Sequence, residues 1–137
     1  MNVDEAREFI RENHRGVLAT RHPSDSVRMS PIVAAVDDEG QIVISSRETA
    51  YKVRYLRDDP WAQICMFNDR FFGPWAWVEG TASILSLPDA MEPLVDYRKR
   101  FTDAAGLDWD EYRQRMEHER RVLIRIAPER AGPARQG

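Results

Sequence analysis

Short runs in which apolar residues either alternate with polar ones or follow one another predict six strands in this chain. Turn signals separate these runs, and the sequence DDEG at 37–40 favours a hairpin. After the last run comes a tail rich in glycine, proline and arginine, at 131–137, which is expected to be mobile in isolation. The strands are predicted at 17–21, 27–37, 42–45, 61–68, 75–85 and 121–126.

Four other segments place apolar residues three and four positions apart, which is typical of amphipathic helices. In the first of them, Asn2 and Glu5 have the spacing of a capping box. Thr49 is expected to cap the second helix, which ends before Pro60. The helices are predicted at 2–13, at 50–57, and from Ser86 and Asp108 onwards.

The order of these elements favours an α+β fold, because hairpin-connected strands come in runs with helices inserted between them. Six antiparallel strands in a single domain of 137 residues predict a small closed barrel with flanking helices. Its interior leaves little volume, so a sizeable ligand is expected on the outer wall or between subunits. Pro31 lies inside the second strand and cannot donate to a ladder, which leaves backbone groups from Ser30 to Ile32 free for a ligand or for water.

Composition narrows the range of partners. The net charge of -3 argues against a general binder of nucleic acid or of membrane surfaces. No apolar run approaches the roughly 18–20 residues of a membrane span, and the first residues do not resemble a secretory signal. Cys65 is the one cysteine, so no internal disulfide is possible and a cytoplasmic location is expected. Of the 20 basic residues, 18 are arginines, and the lysines are Lys52 and Lys99.

A candidate anion site lies where the apolar strand at 42–45 turns polar and leads into the second helix. Ser45, Ser46 and Arg47 are followed by the helix start, where backbone N–H groups lack partners and the dipole favours negative charge. Lys52 adds a full positive charge within the first turn. The residues therefore fit a phosphate, although a plain capped connector between a strand and a helix fits the same pattern.

The sequence lacks the residue patterns of metal sites and of other common catalytic and nucleotide-binding motifs. His14, His22 and His118 are far apart, and none has a neighbouring histidine or cysteine at the spacing of a metal site, so no metal is expected. There is no nucleophile elbow, zinc-protease motif, P-loop or dinucleotide fingerprint. Trp75 and Trp77 share one face of a strand, which suits a core, a subunit interface or stacking against a flat ring system.

Taken together, these segments resemble the pyridoxamine-phosphate-oxidase-like split β-barrel family, which has the FMN-binding split-barrel fold. Within it, the chain is most similar to the F420-dependent oxidoreductases of actinobacteria. The segments that carry the resemblance are 16–20 (GVLAT), 42–60 with its TAYKVRYLRDDP, 78–82 (VEGTA), 109–113 (WDEYR) and 121–124 (RVLI).

The resemblance implies a homodimer with two cofactor sites at its interface and the deazaflavin coenzyme F420 as cofactor. The phosphate would bind at Lys52, and residues around Trp75 and Ala76 would come from the other subunit. Arg54, Arg57 and His22 would meet the acidic polyglutamyl tail. The cofactor-binding residues that it implies are Ser30, Pro31, Ile32, Ser45, Ser46, Arg47, Thr49, Tyr51, Lys52, Arg57, Trp75 and Ala76.

The implied activity is hydride transfer between reduced F420 and a small conjugated or quinone-like acceptor. No residue is identified as an essential acid or base. Two alternatives remain open: an FMN-dependent oxidoreductase of the same fold, and a non-catalytic protein that binds F420, a flavin or a tetrapyrrole. The sequence leaves the physiological substrate undetermined, because loops and a second subunit would shape the open face of the site.

Overall fold

A computed structural model of the chain describes residues 1–136 and confirms an α+β fold. Six strands and four α-helices are present in this part of the chain, together with one turn of 3-10 helix at Thr102–Ala104. In order, the elements are α1 (Val3–Glu12), β1 (Arg15–Arg21), β2 (Val27–Val36), β3 (Ile42–Arg47), α2 (Tyr51–Asp58), β4 (Trp61–Phe67), β5 (Trp75–Leu85), α3 (Met91–Lys99), α4 (Trp109–His118) and β6 (Arg121–Gly132).

The six strands close into a barrel in the order β1-β2-β3-β6-β5-β4, and every neighbouring pair is antiparallel. Alternate residues of each strand point inward, and the inward set is mainly apolar, with Thr20 and Ser46 as buried polar residues. Ile44, Ile64 and Ile124 are among the fully buried residues of this core. Ala6 and Ile10 of α1 are buried in the same cluster, so the first helix completes the barrel interior.

A second apolar cluster lies outside the barrel wall. Helices α3 and α4 pack over the outward side of β3 and β6, where Val43 and Leu123 are buried beneath them. Leu94, Tyr112 and Met116 supply the helical side of this layer. The two helices therefore form a wall that stands beside β3 on the outside of the barrel.

The barrel opens along one seam, which we call the split. Strands β2 and β3 share three residue pairs, from Ala34 opposite Ile44 to Val36 opposite Ile42. Residues 27–33 of β2 pair with β1 alone within the described chain, so their other edge is free of strand partners. Pro31 lies in this free stretch, as its missing N–H predicts. The expectation of unpaired backbone between Ser30 and Ile32 is confirmed.

Several strand boundaries differ by one or two residues from the sequence expectation, and three differences are larger or change a predicted cap. The second helix begins at Tyr51, and its N-cap is Ala50 without a side-chain hydrogen bond; Thr49 is exposed and does not cap it. The third helix begins at Met91, after a turn that follows Ser86. The last strand continues to Gly132, since a bulge at Glu79/Gly80 lets its second half pair with β5.

The C-terminal segment is consequently held more firmly than its composition predicts. Ala131 pairs with Val78, and the N-terminal amine of Met1 donates to Pro133 O at 2.7 Å. The side chain of Gln136 bonds both backbone polar groups of Trp75. The expectation of an unstructured tail is wrong for Ala131 and Gly132, which belong to β6, and Gly137 lies outside the described residues. No helix in the described range is both long and apolar enough to cross a membrane.

Candidate functional site

A large cavity, about 720 Å³, lies in the split. Its floor is the free edge of β2, where Pro31, Ile32 and Val33 face it, and Ser45 borders it from β3. Because the ladder between these strands stops early, the cavity reaches backbone groups that a continuous sheet would cover. The remaining lining comes from β1, from the α3–α4 wall and from the start of β6: Arg15, Gly16, Tyr97, Arg98, Leu107, Tyr112, Arg115, Met116, Glu119 and Arg121.

A smaller cavity of about 410 Å³ shares Lys52 with the larger one. Lys52 stands in the first turn of α2, so its side chain borders both spaces. Volumes of this size, side by side, are in the range of small-molecule and cofactor sites. The other residues that line the smaller cavity come from β1, β2 and α2: Thr20, Arg28, Met29, Ser30, Tyr51 and Tyr55.

The environment of Lys52 disfavours the positive charge on the Lys52 ammonium group. Burial lowers the pKa of this half-buried ammonium below its ordinary value, and the nearby positive charge of Arg121 lowers it further. No carboxylate in residues 1–136 forms an ion pair with Lys52. A bound anion would reverse both effects, since it would supply the missing opposite charge.

The wall of the larger cavity carries more cationic than acidic groups. It carries Glu119 as its one carboxylate among the described residues, and this group is already engaged. Arg121 donates to Glu119 at 2.8 Å, which holds the pKa of the carboxyl below its usual range, and Arg47 lies 3.6 Å from the same oxygen. The cations that outnumber it are Arg15, Lys52, Arg98, Arg115 and Arg121.

Two buried phenols complete the helical wall. The Tyr97 hydroxyl donates to Val33 O at 2.8 Å, and the Tyr112 hydroxyl donates to Leu94 O at 3.0 Å. Burial raises the pKa of both side chains, that of Tyr97 to about 12. Both groups therefore remain protonated near neutral pH, where they act as hydrogen-bond donors and not as bases.

The structure brings half of the sequence-predicted site residues to these cavities. Pro31, Ile32 and Ser45 line the larger cavity, Ser30 and Tyr51 line the smaller one, and Lys52 lines both. Ser45 reaches the cavity because it points outward from β3, while its neighbours on the strand point into the barrel. Ser45 near the end of β3 and Lys52 at the start of α2 therefore line one cavity together with residues of the free edge of β2.

Six predicted residues line neither cavity. The Ser46 side chain is 3% exposed and points into the barrel, and Thr49 is exposed on the connector. Arg57 donates to both oxygens of Glu48, at 2.8 and 2.9 Å, and lies at a separate shallow cavity. The others are Arg47, whose partner Glu119 lines the larger cavity, and Trp75 and Ala76, which the resemblance assigns to the opposite subunit.

Several lining residues were missed by reasoning from the sequence. Thr20 and Arg28 lie opposite each other on β1 and β2, and both reach the smaller cavity. In the sequence, the one local signal for Thr20 is that it is a polar residue near the end of a short strand. In the structure it is 2% exposed. Arg98, Arg115 and the phenol of Tyr97 gave no signal, because their place at the split depends on how the α3–α4 wall packs.

A comparison with known families bears directly on this site. The family model described as pyridoxamine 5'-phosphate oxidase matches residues 3–133, which is nearly the whole chain. The chain belongs to this family. The match includes the split, both cavities and Lys52. The resemblance inferred from the segments of the sequence is thereby confirmed at the level of family and fold.

Solved structures agree on the fold and differ in what their proteins bind. A conserved hypothetical protein from Mycobacterium tuberculosis matches with a TM-score of 0.78 at 25% identity, over 96% of this chain and 82% of its own. A protein described as an F420 reductase matches with a TM-score of 0.67 at 16% identity, over 92% and 94%. A heme binding protein from Mycobacterium smegmatis matches with a TM-score of 0.70 at 16% identity, over 97% and 55%.

Proposed function

We propose that this protein is an F420-dependent oxidoreductase that transfers a hydride between reduced deazaflavin and a small conjugated or quinone-like acceptor. One observation carries the proposal: Lys52 stands half-buried between two adjoining cavities, and no carboxylate in residues 1–136 forms an ion pair with it. Such a cation is suited to a phosphate group of the cofactor. The phosphate would lie between the cofactor's ring system in one cavity and the rest of the cofactor in the other. The likeness of the fold to that of an F420 reductase supports the same reading.

The residues around Lys52 fit a phosphate with a hydroxylated chain. Arg28 offers a second cation at the smaller cavity, and Thr20 and Ser30 offer hydroxyl groups there. On the side of the larger cavity, the free edge of β2 offers the carbonyl group of Pro31 to the rim of a flat ring. These groups would hold the cofactor in place without rearrangement of the barrel.

The region beyond the smaller cavity fits an acidic tail. The guanidinium of Arg54 lies 5.6 Å from the centre of the Tyr51 ring, and the His22 ring lies 5.3 Å from that of Tyr55. Both tyrosines line the smaller cavity, so these basic groups stand at its margin. Arg54 and His22 are therefore the residues of this chain best disposed toward a polyglutamyl chain, whereas Arg57 is engaged by Glu48.

When bound, F420 supplies the hydride chemistry. The chain contributes position, exclusion of water on one side of the ring, and a cationic field from the wall of the larger cavity. Tyr97 and Tyr112 have raised pKa values and stay protonated, so neither serves as a base at neutral pH. We assign no side chain as an essential acid or base, and a proton from solvent suffices for the acceptor.

A homodimer belongs to the same proposal, with each subunit completing the other's site. The outward face of β2 carries apolar side chains that are strongly exposed in the single chain: Met29 at 73%, Val27 at 48% and Val33 at 45%. Burial of such a face in a second copy is favourable, and it borders the two cavities. Trp75 would approach the cofactor of the opposite subunit.

Two other functions are each favoured by a particular observation. Arg28 and Lys52 together place two cations at the smaller cavity, which suits the more highly charged phosphomonoester of FMN. The likeness of the fold to a heme binding protein favours a non-catalytic protein that binds a flavin, F420 or a tetrapyrrole. Both alternatives use the same cavities, so binding experiments distinguish them from the main proposal.

Paired titrations of the purified protein with F420 and FMN, followed by tryptophan fluorescence, test the cofactor. The proposal predicts tighter binding of F420, and then turnover of reduced F420 with at least one member of a panel of quinones, nitroaromatics and enones. Tighter binding of FMN, with a bound flavin spectrum, would establish the FMN enzyme instead. Tight binding without turnover across the whole panel would indicate a carrier, and F420 binding no tighter than millimolar would overturn the proposal.

A further inference from the structure

The pairing between β2 and β3 stops at a defined point. Ala34 lies opposite Ile44, so the next pair in the same antiparallel register would join Val33 to Ser45. That pair is not formed, and both residues instead line the larger cavity. Their backbone groups, a carbonyl on one strand and an N–H on the other, are the groups that a further rung of the ladder would use.

The hydroxyl group of Tyr97 occupies this missing rung. It donates a hydrogen bond to Val33 O at 2.8 Å. The backbone of Ser45 lies near enough to the same hydroxyl to lower its pKa, against the larger effect of burial, which raises it. A phenol is both donor and acceptor, so one side chain can satisfy a carbonyl and an amide at once. Because Tyr97 is 7% exposed, its polar atom depends on partners within the protein.

The ring of Tyr97 is held in this position by a chain of packed groups. Phe101 meets it edge to face with 5.0 Å between ring centres, and His14 meets Phe101 at 4.6 Å. His14 in turn donates from Nδ1 to Ala34 O at 2.9 Å, and Ala34 N donates to His14 O at 2.8 Å. Tyr97 is thus fixed against the same part of β2 at which the ladder ends.

We propose that Tyr97 is a positioning residue, whose phenol holds β2 and β3 apart and keeps the larger cavity open. Paired antiparallel strands lie about 4.7–4.9 Å apart, which leaves no room for a ligand between them. A side chain that takes the place of one rung stops the strands from closing further, while it satisfies the Val33 carbonyl and can accept from the Ser45 N–H. The spacer role follows from the fold alone, whereas its effect on ligand binding rests on the proposed function.

NMR of the protein without ligand tests the spacer directly. In the wild type, the Tyr97 hydroxyl proton should exchange slowly and show a nuclear Overhauser effect to the Ser45 amide. Tyr97→Phe keeps the ring and removes the hydroxyl, so the Ser45 amide should exchange roughly tenfold faster or more, relative to the Ala34–Ile44 pair. Tyr112→Phe removes a comparable buried hydroxyl that bonds Leu94 O, and it should leave this ratio unchanged.

Tyr97→Ala removes the ring as well, so cross-strand contacts between Val33 and Ser45 should appear. The affinity for FMN, used as a soluble probe, should then fall at least about tenfold. An unchanged Ser45 exchange ratio in Tyr97→Phe, or an alanine variant with full FMN affinity and no Val33–Ser45 contacts, would overturn the proposal. If the variants do not fold, the wild-type spectrum decides: a wild type without a slowly exchanging Tyr97 hydroxyl signal would overturn the proposal. Failure of FMN to bind the wild type would count against the proposed function alone, since the exchange measurements need no ligand.

Discussion

The indole ring of Trp77 fills the space in which a side chain at position 132 would lie. Gly132 pairs with Trp77 across β5 and β6, and a Cβ atom placed on Gly132 would approach the indole Nε1 to 2.3 Å. The glycine therefore lets the last strand continue beneath the ring. This contact holds the far end of β6 on the barrel, after the bulge at Glu79/Gly80.

Gly132→Ala should lower the free energy of unfolding by about 1–3 kcal/mol, because the new methyl group collides with the Trp77 ring. Chemical denaturation measures the change. In a Trp77→Ala background the collision is gone, so the same substitution should cost much less. An equal cost in both backgrounds would mean that the ring does not set the requirement for glycine.

Lys52 should be distinguishable by NMR, since the chain has two lysines and Lys99→Arg leaves one signal. With lysine labelled at Cε, we expect Lys52 to titrate below the ordinary lysine pKa of 10.5, because burial and Arg121 disfavour its charge. Addition of inorganic phosphate should raise that pKa, since an anion stabilises the ammonium. A titration midpoint that phosphate leaves unchanged would contradict an anion site at this residue.

The same lowered pKa has a consequence for stability. Between the pKa of folded Lys52 and the unfolded value near 10.5, the unfolded chain binds more protons, so stability rises with pH in this window. Lys52→Met removes the contribution and should be more stable than the wild type near neutral pH, with a gap that narrows toward roughly pH 11. Denaturation of both proteins across this range, with Lys99→Met as the control, measures the gap. A gap that is constant with pH would contradict the assignment.

Met29→Asp should convert the proposed dimer into a monomer, because it places a charge on the exposed apolar face of β2. Sedimentation velocity gives the mass directly. Phe72→Asp is a matched control, since Phe72 is equally apolar and 96% exposed but lies on the loop between β4 and β5. A wild type that sediments as a monomer at micromolar concentration would exclude the dimer.

Substitution of Arg28 and of Arg57 distinguishes two possible positions of the bound phosphate. Arg28 lines the smaller cavity beside Lys52, while Arg57 is bonded to Glu48 and Ser86 at another part of the surface. Arg28→Ala should weaken binding of a phosphorylated cofactor roughly tenfold or more, and Arg57→Ala should leave it nearly unchanged. Isothermal titration calorimetry with F420 and with FMN compares them. A larger loss at Arg57 would place the anion near α2's other end.

The sequence was sufficient for much of the fold, because the governing signals are local. Alternating and consecutive apolar residues identified all six strands, and Asn2 with Glu5 formed the capping box that their spacing predicts. Pro31 marked the free edge of β2 before any partner strand was known. The end of β6 was missed, since Ala131 and Gly132 belong to a strand only through pairing with residues more than fifty positions earlier.

The candidate site was predictable in part for the same reason. Ser45 and Lys52 are neighbours along the chain, so a local pattern marked them both. Thr20 and Arg28 meet Lys52 through the barrel, and Tyr97 reaches the split through the packing of α3. Contacts of this kind arise from the tertiary arrangement and leave no periodic trace in one sequence.

The most direct test of the account is the affinity of Lys52→Ala for F420 and FMN, compared with Lys99→Ala. If Lys52 binds the phosphate, Lys52→Ala should lose on the order of 1.5–3 kcal/mol of binding free energy for the better cofactor, which is the range of a charged hydrogen bond. Lys99, which lies 5.2 Å from the Trp109 ring and lines neither cavity, should tolerate the same change. Equal affinities in the wild type and in Lys52→Ala would show that the phosphate binds elsewhere.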